Sequence, residues 1–213
     1  MLKKTVLCLG ERAGLADRVN ATGGRAVASL EDPAEAAAVV YGAGDWGAPL
    51  ERLLAAAKKA VRFCDLDLKR GTRETVPACV QSAHVLRINA AEAREMAATY
   101  GIPAASGRRF LEALGKGAKL DTVVVTLGAK GAAARQGERV VVSFGYGKGA
   151  SEAAFGAGFL RARLEGWDLD ACCRWGNGFA ALGDGPLPED WSDRLGAMLP
   201  DAGWSDDLAY WIS

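Results

Sequence analysis

The chain predicts a three-layer α/β/α fold on a mostly parallel sheet, and three observations carry that expectation. Short apolar runs rich in β-branched residues alternate with longer amphipathic stretches. Strand–helix alternation at this spacing places crossover helices on both faces of a parallel sheet. With 213 residues the chain has material for one sizeable core. No internal repeat, low-complexity segment or linker divides it, so a single domain over 1–213 follows.

The elements follow in order. "KTVLCLG" reads as an opening strand stopped by Gly10, and "AAAVVYGAG" as a strand ending in a glycine turn. "PLERLLAAAKKA" sets Leu50, Leu53, Leu54 and Ala57 on one helical face, and "VRFCDLD" is a strand with carboxylates at its end. "RETVPACVQSA" reads as a helix limited by Pro77, and "HVLRIN" as a strand. Asn89 can cap the helix "AAEAREMAATYG". "GRRFLEALGKG" is helical, "DTVVVTLG" is the strongest strand signal, and "GAAARQGERVVVSFG" predicts a hairpin around Gln136-Gly137. Helices over 150–165 and 168–182 come next, then an irregular tail over 183–213.

Charge and composition exclude several functions. Lys plus Arg equals Asp plus Glu at 26 each, so no net field holds nucleic acid. Lys58-Lys59 and Arg108-Arg109 are short enough to be solvated faces. The N-terminal apolar run is too short for a signal peptide or a spanning helix, which predicts a cytoplasmic protein without a membrane partner. Five cysteines form no C-x-x-C pair and read as small buried hydrophobes. The one histidine, His84, excludes an H-E-x-x-H zinc site and reads as structural.

Ligands of open parallel sheets bind outside the carboxyl ends of the strands. Polar residues and glycines gather there, in the order "DLDLKR", "INAAE", "TLGAKG" and "GYGKGASE". That order resembles the ribokinase-like (PfkB) carbohydrate kinases over residues 36–182. Asp65, Asp67 and Lys69 resemble the family's Asp-x-Asn-x-Arg motif, which implies a substrate-side role. Asn89 and Glu92 resemble its Asn-x-x-Glu motif, which implies phosphate handling and indirect Mg²⁺ binding through Glu92. Thr126, Gly128 and Gly131 resemble the nucleotide loop, and Asn177 resembles an asparagine near the adenine. Gly149, Ala150 and Ser151 resemble the small-residue turn whose amides form an anion hole. The resemblance implies a ribokinase-like fold, ATP with Mg²⁺ as cofactor if active, and phosphate transfer to a sugar-like hydroxyl.

This chain departs from the family pattern where catalysis needs it most. Aligned on Gly149-Ala150, Glu152 replaces the catalytic aspartate with one residue too many before Phe155. Aligned on "FGAGFL", Ala153 takes that position. One helical residue is a rotation of about 100°. Asp67 and Lys69 stand for asparagine and arginine, and Lys cannot repeat a bidentate guanidinium contact. The sugar segment is reduced to Gly23-Gly24, and residues 11–36 leave no room for the family's β-lid.

Plain structural readings stand beside these. Gly128 and Gly131 can simply make a turn, Asn89 with Glu92 a capping box, and Asp65 with Asp67 a solvated strand end. Trp175, Trp191, Trp204 and Trp211 either pack the last helices or form an interface over the face a lid would occupy. Two readings of function follow. One is a kinase homologue with impaired catalysis, in which Glu152 is a displaced base acting on an unidentified small molecule. The other is a non-catalytic pseudokinase that binds a nucleotide or a protein partner, or forms a homodimer.

Overall fold

The computed structural model describes residues 4–10, 13–22, 24–29, 31–104, 106–146, 151–183 and 187–198. Among them, eight strands form one sheet in the order β2-β1-β3-β4-β5-β6-β7-β8. The parallel part comprises β1 (Thr5–Cys8), β2 (Arg25–Val27), β3 (Ala38–Tyr41), β4 (Val61–Asp65), β5 (Val85–Asn89) and β6 (Thr122–Thr126). The last two strands, β7 (Gly131–Gln136) and β8 (Arg139–Phe144), add an antiparallel hairpin. Its turn contains Gly137, whose φ of 59° suits glycine, as the sequence predicts.

Strand alternation divides the interior into two cores. In β3, Val39 and Tyr41 join the core under α2 (Ala48–Ala56), α3 (Thr75–Gln81), α4 (Ala90–Tyr100) and α5 (Gly107–Gly117). Ala38 and Val40 face the other core, covered by α1 (Ala13–Ala21), α6 (Glu152–Leu164) and α7 (Leu169–Ala181). The same alternation runs through β6, where Val123 and Val125 face one core and Val124 the other. Near-continuous burial of these strands is what a sheet covered on both faces requires. The three-layer α/β/α architecture is therefore as the sequence predicts.

Local chemistry explains several boundaries. Pro77 falls in the first turn of α3, where a backbone N–H lacks an intrahelical partner anyway. Ser106 caps α5 by accepting from the Arg109 amide at 3.3 Å. Asp168 caps α7 by accepting from the Ala171 amide at 2.8 Å. All five cysteines are buried, and none is in a disulfide. His84 stands just before β5 and accepts from the Arg62 amide at 3.3 Å through Nδ1, a structural contact.

Three elements were not predicted. Residues 13–27 hold α1 and the edge strand β2, in the stretch where the sequence shows no room for a lid. Leu15 and Val19, four apart, are the buried apolar residues among those described in α1, with Arg18 buried beside them. The tail is not wholly irregular, because α8 (Trp191–Met198) lies within it. Trp191 packs edge-on to Phe179 at 5.7 Å, and Phe179 stacks on Trp175 at 5.7 Å. The packing role thus holds for Trp175 and Trp191, while Trp204 and Trp211 lie outside the described residues.

Gly131 begins β7 with φ 116°, and a Cβ there would meet the Ser143 carbonyl of β8 at 2.1 Å. Both the dihedral and the contact exclude a side chain. Gly131→Ala is expected to cost about 1–3 kcal/mol from backbone strain alone, read as a lower urea midpoint.

Candidate functional site

The site is organised around a charge that the strand pattern buries. Arg87 sits inside the apolar run of β5, and alternation aims it at the α6 face together with Val85. It is 6% exposed. A guanidinium at that depth, stripped of water, needs carboxylate partners.

Two carboxylates supply them. Arg87 Nε donates to Asp65 Oδ1 at 2.5 Å, and Nη2 pairs with the same oxygen. Asp65 and Arg87 are register partners across β4 and β5. On the other side, Nη1 donates to Glu152 Oε2. Thr126, at the end of β6, donates to that same oxygen at 2.5 Å. Its position follows from register, since Arg87 pairs with Val124 and Thr126 lies two residues further on the same face. Burial opposes the charge on Arg87, yet Asp65 and Glu152, with Glu92 nearby, hold its pKa above the ordinary value.

Glu152 is the first residue of α6, where a negative side chain also suits the helix N-terminus. Ser151 caps the helix by accepting from the Ala154 amide at 3.0 Å. Ala153 turns away from Arg87 toward α1, 3.3 Å from where a Cβ on Gly14 would stand. Thr126, Gly128, Gly131, Ser151 and Glu152 line one recess with Phe155 and Ala180.

The remaining predicted residues divide among other tasks. Asn89 and Glu92 form a reciprocal capping box on α4, with Asn89 N–H to Glu92 Oε2 at 2.8 Å and Glu92 N–H to Asn89 Oδ1 at 2.9 Å. Glu92 Oε1 accepts from the Leu68 amide at 3.4 Å, tying the turn after β4 to α4. Asp67 caps that turn by accepting from the Lys69 amide at 3.1 Å, and Lys69 is exposed. Neither residue bonds to Arg87 or Glu152. Gly128, at φ 61°, opens the turn from β6 to β7. Asn177 is buried in α7, where Nδ2 donates to the Ser143 carbonyl at 3.0 Å and the Phe144 carbonyl at 2.9 Å. It therefore ties α7 to the end of β8 rather than lining the recess. Gly149 and Ala150 lie outside the described residues.

Sequence reasoning missed Arg87. The signal was present, because an arginine in the interior of "HVLRIN" breaks an otherwise apolar strand. A buried charge of that kind demands a partner, and the sequence alone does not say which carboxylates provide it.

Comparison with known proteins agrees with this architecture. The family described as pfkB family carbohydrate kinase matches residues 4–145. That match reaches further toward the N-terminus than the motif resemblance and stops short of Glu152. A search of curated proteins returns no match. Among solved structures, the nucleoside kinase of Methanocaldococcus jannaschii, an archaeal member of the ribokinase family, is similar at 21% identity and a TM-score of 0.57, over 76% of this chain and 57% of that one. Arabidopsis thaliana ribokinase, solved with ribose and ATP, is similar at 20% identity and a TM-score of 0.61, over 78% and 57%. The Burkholderia thailandensis nucleoside kinase in complex with inosine is similar at 14% identity and a TM-score of 0.61, over 94% and 81%. The chain thus spans just over half the length of the first two.

Two predictions follow from the geometry. Asn177→Ala removes a buried donor that serves the Ser143 carbonyl and hydroxyl and the Phe144 carbonyl, and is expected to cost about 1–3 kcal/mol, measured by urea unfolding. Burial raises the Glu92 pKa above its ordinary 4.5, against the opposing pull of its amide donors and Arg87. The folded state therefore holds this proton more tightly than the unfolded chain does. That contribution is complete below pH 4.5 and is lost as pH rises through the folded value. Glu92→Gln should flatten the fall in stability just above pH 4.5, seen in urea midpoints across a pH series.

Proposed function

Because the chain belongs to the pfkB family of carbohydrate kinases, we propose that it is a kinase relative with impaired phosphotransfer, working as a non-catalytic module that binds nucleotide or a protein partner. One observation carries this reading. Glu152, the carboxylate that one alignment sets against the family's catalytic aspartate, accepts from both Arg87 and Thr126 through Oε2. A general base must approach the hydroxyl it deprotonates within about 2.6–3.2 Å, with a lone pair free to take the proton. Here Oε2 is taken by two donors, so Oε1 alone is left to act, and it is held where the anchoring of the side chain to the sheet puts it.

Neighbouring residues support the same reading. Ala153, the alternative occupant of the catalytic position, has no titratable group and packs toward α1. Asp67 and Lys69 serve a turn or solvent instead of converging on the recess. Phosphoryl transfer depends on positioning and charge neutralisation more than on covalent chemistry by the protein. Displacing the base and the substrate-side pair therefore removes much of what transfer requires.

Ribokinase-family kinases use ATP with a metal ion, and the residues here do not fit the metal. Among the described residues no group of three or more His, Cys, Asp or Glu is arranged to hold one. Both Glu92 oxygens accept backbone amides. Asp65 and Glu152 are engaged by a guanidinium, whose repulsion of a divalent ion 4 Å away is about 8 kcal/mol at an effective dielectric near 20. The loop glycines do not decide the nucleotide question either. The space beside Gly131 is filled by β8 itself, so its need for glycine is met within the protein.

The rival reading is a working kinase, favoured by the place of Glu152 beside Thr126 and Gly128 in the recess. An ATP-turnover screen over common sugars and nucleosides separates the two. The expected result is no turnover above background in the natural protein, and no change in Glu152→Gln. Robust turnover abolished by Glu152→Gln would establish a working base. If turnover is absent, an ATP titration followed by calorimetry tells a nucleotide-binding module from one kept for protein partnership.

A further inference from the structure

We infer that Arg87 is the resident cation of this site, balancing Asp65 and Glu152 as a divalent metal would, so that the protein binds no Mg²⁺ there. The inference goes beyond impaired phosphotransfer, since a site can lose its base and still hold metal. Three observations meet on the one side chain. The guanidinium is almost fully buried in β5. It contacts a carboxylate on each side, from β4 and from the start of α6. Glu92 stands near enough to add to the attraction while its own oxygens serve as acceptors for α4 and the turn at Leu68.

Metal coordination and guanidinium pairing compete for the same oxygens. Mg²⁺ demands near-octahedral oxygen donors at about 2.0–2.1 Å and usually keeps several waters. Asp65 Oδ1 and Glu152 Oε2 already receive N–H donors. Glu152 Oε2 receives the Thr126 hydroxyl as well. A fixed positive charge between the carboxylates repels any second cation from the space they share. Arginine suits the task because it stays charged when buried and offers N–H groups in several directions.

The test uses Mn²⁺ as a spectroscopic probe and Mg²⁺ in thermal unfolding, both without nucleotide. The natural protein should leave the free Mn²⁺ resonance at its buffer intensity up to millimolar concentration. Its unfolding midpoint should respond to Mg²⁺ no more than to Na⁺ at matched ionic strength. Arg87→Gln leaves two carboxylates without their cation. Its midpoint should fall, then recover with Mg²⁺ or Mn²⁺ beyond the recovery given by Na⁺. Arg87→Lys retains the charge and should exclude Mn²⁺ as the natural protein does.

Mn²⁺ binding by the natural protein that Glu152→Gln or Asp65→Asn weakens at least tenfold would overturn the inference. So would a folded Arg87→Gln protein indifferent to divalent ions, or Mn²⁺ binding by Arg87→Lys. If Arg87→Gln does not fold, the natural protein and Arg87→Lys still decide the matter. ATP turnover is a separate readout, so a failure of the impaired-kinase reading is distinguishable from a failure of this one.

Discussion

A guanidinium buried in the middle of a parallel sheet constrains everything packed around it. Arg87 cannot be left unpaired at that depth, because breaking a buried pair by removing one partner costs about 3–5 kcal/mol. Its partners must come from elements that reach the same face, the end of β4 through Asp65 and the start of α6 through Glu152. The pair therefore couples strand register to helix placement. Once Glu152 is held over β5, the rest of α6 descends along the sheet with Phe155, Phe159 and Leu160 in the core. Ala153 then falls about 100° around the helix, toward α1.

The same packing gives the motif residues of this member of the pfkB family structural roles. Asn89 and Glu92 cap α4, Asn177 ties α7 to β8, and Asp67 caps a turn. Each side chain satisfies backbone groups that would otherwise be left without partners near the sheet's carboxyl edge. These roles remain useful whether or not the site turns over a substrate. Retention of such residues is therefore weak evidence of chemistry, and the disposition of Glu152 and Ala153 weighs more. The small residues of α6 also matter, since a Cβ on Gly158 would lie 2.8 Å from the Trp175 carbonyl of α7. Close contact between the two helices positions the end of α7 beside the recess.

The central elements were legible because their signals are local and strong. β6 is four β-branched residues and a terminal threonine in "TVVVT", wholly buried, and the capping pair of α4 reads directly from Asn89 and Glu92. Other elements had little to show. The buried face of α1 rests on Leu15 and Val19, and β2 is a three-residue edge strand. Helix α8 has Leu195 buried against α7, with Trp191 beside Phe179. Such segments take their structure from what they pack against, and helix formation without tertiary support is weak at these lengths.

By itself the sequence determined the alternation of strand and helix and the covering of both sheet faces. These depend on period, composition and order along the chain. Only the tertiary structure decided that Asp65, Arg87, Thr126 and Glu152 meet, because they come from three strands and a helix whose register is set by pairing and packing. It also decided that Asn177 bonds to β8 instead of lining the recess. The physical reason is common to both outcomes. A buried polar group must be satisfied, and which partner satisfies it is fixed by the assembled layers rather than by neighbours in sequence.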